Sequence, residues 1–167
     1  MGDERSDAGR GRVTASAHLR PALESECDAL TALCLRSKAH HGYDASFIAA
    51  CREELSVTPE RLARGGHRVA ETDGRLSGFI QVLAEGGETW LESLFVDPDY
   101  IGRGIGSLLM VAAVNMAKAT GATALEIHAD PHAEAFYLTH GARRVGSVPS
   151  GSIVGRQLPQ LMLTLSS

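Results

Sequence analysis

The sequence predicts a mixed α/β domain of the α+β kind, in which an antiparallel meander runs into a parallel strand–helix–strand crossover. Three observations carry that reading. Asp73-Gly74 is a two-residue hairpin signal between the runs HRVAET and RLSGFIQVLAE, and Gly86-Gly87 turns the chain again into ETWLESLFV. Next, the segment from Leu94 to Gly121, LFVDPDYIGRGIGSLLMVAAVNMAKATG, passes from strand through a glycine-rich turn into an amphipathic helix. ALEIH at 124–128 then resumes as a strand, which makes the crossover parallel.

The elements follow in order. Residues 1–12 read as a mobile tail, and 13–167 as one domain with no internal repeat. Val13 to Leu19 is a candidate first strand. Arg20-Pro21 leads into a helical pattern at Leu23, Leu30, Leu33 and Cys34 that ends near Lys38. Turn chemistry at Gly42 and Asp44 precedes a second, shorter helix marked by Phe47, Ile48, Cys51 and Leu55. After the meander, the helix from Ile105 places Leu108, Leu109, Ala112, Ala113 and Met116 on one face and stops at Thr120-Gly121. Asp130 is a cap with Pro131 at the first helical position, Phe136 and Tyr137 follow, and Gly141 ends the helix. ARRVGSV and QLMLTL are two further strands, separated by the connection PSGSIVGRQLP.

With 167 residues, 44% hydrophobic and 22% charged, the chain can bury a core without metal or disulfide staples. A net charge of −4 and the lack of a long Lys/Arg run argue against a nucleic-acid or anionic-membrane partner. Cys27, Cys34 and Cys51 match neither a zinc site nor a disulfide framework; Cys27 and Cys34 read as small core residues rather than catalytic thiols. MGDERSDAGRGRVTAS lacks the apolar stretch of a signal peptide, and no apolar run approaches the ~20 residues of a membrane span. Cytoplasm is the expected compartment. Gly2 and Ser6 fit an N-myristoylation pattern only formally, since Asp3 and Glu4 flank the acceptor and no basic cluster follows.

Gly102, Gly104 and Gly106 alternate where the chain turns from Val96 into its helix. Removing side chains there lets several backbone N–H groups point at one anion, as a bound phosphate requires. GRGIGS has G-x-G-x-G rather than G-x-G-x-x-G, no Gly-Lys-Ser/Thr ending, and an antiparallel meander before it, so Rossmann and P-loop readings are disfavoured.

VDPDYIGRGIGSLL followed about 30 residues later by ADPHAEAFYLTHGA resembles the GNAT superfamily of acetyl-CoA-dependent N-acetyltransferases, most specifically over Glu92 to Gly141. The resemblance implies a mixed, twisted, mostly antiparallel sheet with splayed central parallel strands, flanked by helices. It implies acetyl-CoA as co-substrate and direct transfer to a primary amine of a small molecule or peptide as acceptor, and superfamily habit favours a homodimer. It further implies that the backbone of Leu94, Phe95 and Val96 runs beside pantetheine and that Ile101, Gly102, Arg103, Gly104, Ile105, Gly106 and Ser107 hold the pyrophosphate. Two positions depart from the family pattern. Ile101 stands where Arg or Gln usually opens the loop, with Arg103 available to supply positive charge, and Asp130 stands where Asn is common.

By the same resemblance Tyr137 is the candidate general acid, beside the thiol sulfur. Glu92, at the same strand parity as Trp90 and Leu94, is the candidate general base, with His128 or a water chain as alternatives. His40, His41 and Tyr43 after the first helix, and Ser150, Ser152 and Arg156 in the late connection, are candidate acceptor-pocket residues. Adjacent His40-His41 lacks a third ligand of recognisable spacing, so no metal is expected. A noncatalytic acyl-CoA-binding sensor is the alternative to an enzyme.

Overall fold

The computed structural model describes residues 17–166. Both the expected tail at 1–12 and the start of the expected first strand lie outside them; within them that strand is β1, Ala17–Arg20. After a 3-10 turn at Glu24–Glu26 comes α1, Cys27–Ala39, then α2, Ala45–Leu55, where the Asp44 carboxylate accepts the Phe47 N–H at 2.8 Å. A third helix, α3 (Pro59–Ala63), was not anticipated. Five residues are too few to show periodicity, although Thr58 caps it and Pro59 opens it as helix-start chemistry dictates.

The meander forms at its expected bounds: β2 His67–Thr72, β3 Arg75–Glu85 and β4 Glu88–Val96. Then follow α4 (Ile105–Ala119), β5 (Ala124–His128), a 3-10 turn at Pro131–Ala133 continuing into α5 (Glu134–Thr139), β6 (Arg143–Pro149) and β7 (Gln157–Thr164). β7 begins three residues before the expected run and carries Pro159 inside it. The Pro159 carbonyl is used by the Ala129 N–H at 2.9 Å, so the residue links β7 to the chain leaving β5.

The seven strands lie in the order β1-β2-β3-β4-β5-β7-β6. β4 and β5 are the parallel pair, and every other neighbouring pair is antiparallel. Two cores sit on opposite faces. α4 packs Ile105, Leu109, Met110 and Ala113 against Ile80, Val82, Leu91 and Ile127. On the other face Leu30, Cys34, Cys51, Leu55 and Leu62 meet Val69 and Phe79. Gly78 permits the close seating of α4, since a Cβ there would lie 2.8 Å from Leu109 Cδ1.

Two features of β4 open the middle of the sheet. Its parallel pairing with β5 is registered at Trp90 opposite Glu126, while on its other edge it pairs with β3 as far as Val96 opposite Gly78. Beyond Trp90 the two parallel strands diverge. Opposite Gln81 and Val82, moreover, β4 presents Ser93 and Leu91, which leaves Glu92 as the extra residue of a β-bulge. The bulge corrects the expected parity of Glu92 with Leu94. Leu91, Leu94 and Val96 all pack toward the α4 core, whereas Phe95 packs toward the α1–α3 core. A buried polar network supports the bulge: Arg61 donates to Ser93 Oγ and to Gln81 Oε1, and Gln81 Nε2 donates to the Arg61 and Gly65 carbonyls at 3.0 and 2.9 Å.

Candidate functional site

Between the diverging strands lies a cleft of about 570 Å³ whose walls include Leu94 and Phe95 of β4, Glu126 and His128 of β5, and Tyr137 of α5. A smaller hollow of about 240 Å³ adjoins the start of α4, lined by Val96, Ile101, Gly102, Gly104, Gly106 and Ser107 among others. Of the expected pyrophosphate-loop residues, Arg103 alone does not line this hollow. Its guanidinium lies over the Tyr100 ring, 5.2 Å from the centroid. Ile101, 53% exposed, puts an apolar side chain at the rim.

The loop fits an anionic occupant. Gly102 and Gly104 have φ of +81° and +80°, a region that disfavours any Cβ, and nothing lies within 4 Å of where a Cβ would point. Gly104 is the cap residue of α4 and offers no side chain, so the N–H groups of Ile105, Gly106 and Ser107 have no intrahelical acceptor; the first carbonyl–amide bond runs from Leu108 to Gly104. A Cβ at Gly106 would meet the Phe136 ring at 3.0 Å, so glycine there keeps the hollow and the ring in register. Ser107 Oγ lies 3.0 Å from His140 Nε2, and His140 Nδ1 lies 2.8 Å from the Phe136 carbonyl. Because a carbonyl only accepts, Nδ1 carries a hydrogen and donates it to the Phe136 carbonyl, while Nε2 and the Ser107 hydroxyl share a hydrogen bond.

Tyr137 is buried, its ring set edge-on to Phe136 at 5.3 Å, while it reaches the large cleft. Burial, with the nearby Asp130 charge adding to it, pushes its phenol well above the usual range, so it stays protonated. Glu92 lines the same cleft but is exposed, its Oε2 accepting the Trp90 indole N–H at 2.6 Å. On the β5 wall, His128 Nε2 lies 2.7 Å from Glu126 Oε2. The candidate acid and both side-chain candidates for the base therefore share one cavity.

Asp130 is taken up by a cluster that the sequence placed only in separate segments. It accepts the His132 N–H at 2.8 Å, pairs with Lys38, receives the Tyr43 hydroxyl at 3.0 Å, and lies 3.4 Å from Arg156 Nη2. Burial alone would raise its carboxyl, but the Lys38 ammonium and the His132 N–H outweigh it and hold the group down to about 2. Burial and the Asp130 charge push the Tyr43 phenol up to about 12. Tyr43 stacks on Phe47 at 4.0 Å, and the Arg156 guanidinium covers both rings. Lys38 of α1 and Phe47 of α2 were not singled out as site residues; their partners Asp130 and Arg156 lie far along the chain. His41 stacks on His132 at 5.1 Å, and no group of three metal-binding side chains forms among the described residues. Cys27, Cys34 and Cys51 are buried free thiols, and burial pushes Cys34 up to about 12, which removes it from nucleophilic chemistry at neutral pH.

A family model described as the acetyltransferase (GNAT) family matches residues 28–142. The chain belongs to that family. Among solved structures of GNAT proteins, the fold is similar to PaiA N-acetyltransferase of Thermoplasma acidophilum, a complex with coenzyme A, at TM-score 0.74 and 20% identity over 89% of this chain and 99% of that one. It is also similar to a GCN5-related N-acetyltransferase of Rhodopseudomonas palustris, at TM-score 0.73 and 23% identity over 90% and 96%. In sequence, 60 residues are 37% identical to the mycothiol acetyltransferase of Clavibacter michiganensis, a stretch spanning 36% of this chain and 20% of that protein. Among the described residues no helix is long and apolar enough to cross a membrane.

Proposed function

We propose that this GNAT protein transfers acetyl from acetyl-CoA directly to a primary amine of a small molecule or peptide. The observation that carries the reading is the edge of β4 beyond Trp90, unpaired on its β5 side and running from the cleft to the open start of α4. Unpaired backbone groups at Leu94–Val96 suit an added strand-like pantetheine arm, and the amides of Ile105, Gly106 and Ser107 suit a diphosphate. When bound, acetyl-CoA supplies an already activated thioester. The protein then has to align a neutral amine, polarise a carbonyl and manage two protons.

A β4 N–H polarises the thioester carbonyl. The amine nitrogen bonds to the carbonyl carbon, the C–S bond breaks, Glu92 or a water it orders takes the ammonium proton, and Tyr137 protonates the leaving thiolate. The products are the N-acetyl amine and coenzyme A. Glu92 suits the base role because Trp90 holds one carboxylate oxygen while the group stays open to solvent, through which the proton leaves.

The test is a panel of primary amines with acetyl-CoA, followed by thiol release and by mass of the product. At least one amine gains the mass of an acetyl group in step with thiol release. Tight coenzyme A binding with no amine acetylated would replace this reading with that of a sensor.

A further inference from the structure

One cluster of side chains lining the cleft carries an unbalanced charge. Lys38 and Arg156 both face Asp130, so two cations share one carboxylate, and both side chains line the cavity while being 13% and 17% exposed. The sharing is unequal. Lys38 makes the close pair, whereas Arg156 reaches Asp130 at 3.4 Å through Nη2, the same nitrogen that donates to the Tyr43 hydroxyl. Its Nε and Nη1 have no partner among the described residues. The guanidinium is nevertheless held in place, its carbon 4.9 Å from the Phe47 ring centroid and 5.2 Å from that of Tyr43. Ser150 N–H to the Arg156 carbonyl at 2.7 Å closes the loop that carries it. The β4 and β5 side of the cavity has the opposite sign, with Glu88, Glu92 and Glu126; Glu54 lies by Gly151.

We infer that Arg156, seconded by Lys38, is the recognition site for a carboxylate on the acceptor, so that the substrate class is an amino acid whose amine faces Glu92. The inference rests on the acetyl-transfer reading above. One surplus positive charge matches a monoanion, and the N–H groups on Nε and Nη1 of an anchored guanidinium are free to donate to a carboxylate oxygen. A phosphate dianion would need a second cation not already neutralised by Asp130. The acidic β4–β5 wall attracts the ammonium of the same molecule and then accepts its proton.

The test compares each common L-α-amino acid with its α-carboxamide and its decarboxylated amine, reading thiol release and, with coenzyme A bound, equilibrium affinity. At least one amino acid is expected to show a KM or Kd ten or more times lower than its amide. Arg156→Gln reduces that ratio to about one, and Arg156→Lys, which keeps the charge without the planar guanidinium, retains part of it. Unchanged coenzyme A affinity in both variants reports an intact fold. Amides or decarboxylated amines matching the acids within twofold, an acid preference that survives in Arg156→Gln, or acids that neither react nor bind would each overturn the inference. Acetylation of carboxylate-free amines in those outcomes would leave the transferase reading standing, whereas no acetylated amine of any kind would remove it too.

Discussion

At the scale of single residues, environment decides what each titratable group can do. Tyr137 and Tyr43 are both phenols pushed upward by burial, yet Tyr43 donates to Asp130 while Tyr137 reaches the cavity with its proton uncommitted among the described residues. Tyr137→Phe is expected to lower kcat by about 10- to 100-fold with coenzyme A affinity unchanged, measured by steady-state kinetics and titration. Equal rates from pH 6 to 9 in the two proteins would exclude it as the acid. Asp130 makes a stability prediction with a definite sign. Its folded value of about 2 lies below the unfolded value near 3.9, so its contribution is complete above that value and lost as pH falls toward 2. The difference corresponds to on the order of 2 kcal/mol. Urea titrations from pH 5 to 2.5 should show this acid-dependent loss in the native protein and a shallower one in Asp130→Asn, which is also less stable at pH 7 because Lys38 loses its partner.

At the scale of elements, backbone geometry governs the anion hollow. Gly104 sits at φ +80° with open space where a Cβ would point, so a side chain costs conformational strain and also fills the hollow. Gly104→Val should weaken coenzyme A binding by at least about tenfold; isothermal titration with an unchanged Kd would contradict the cradle. The bulge at Glu92 is the second element-level device, tied through Ser93, Gln81 and Arg61 to α3, the helix too short for the sequence to announce. An extra residue there swaps which faces the following side chains occupy, and it lies two residues past Trp90, where β4 is last registered with β5.

Across the whole molecule, the cleft lies where a sheet otherwise paired antiparallel contains one parallel neighbour pair that diverges. A ligand filling the gap ties the two halves of the sheet together. Coenzyme A and acetyl-CoA are therefore expected to raise Tm in a concentration-dependent way, equivalent to about 2.7 kcal/mol at a hundred times Kd. NAD and ATP at the same concentrations should leave Tm unchanged, since the loop lacks the spacing and the lysine their sites use. Differential scanning fluorimetry with the four ligands side by side makes the comparison.

The sequence by itself determined the order and type of the long elements. Alternation, the Asp73-Gly74 turn and the glycine-rich start of α4 are local chemistry, and the meander strands and α4 formed within a residue of their expected bounds. The family was legible for the same reason, because its loop and its Phe136-Tyr137 helix are contiguous motifs. Tertiary structure alone decided the bulge that breaks the parity of Glu92 and Leu94, the parallel pairing confined to Trp90, and the meeting of Lys38, Tyr43, Asp130 and Arg156 from parts of the chain up to 118 residues apart. Register shifts and charge balance depend on what a residue faces across space, and periodicity along the chain carries no record of that partner.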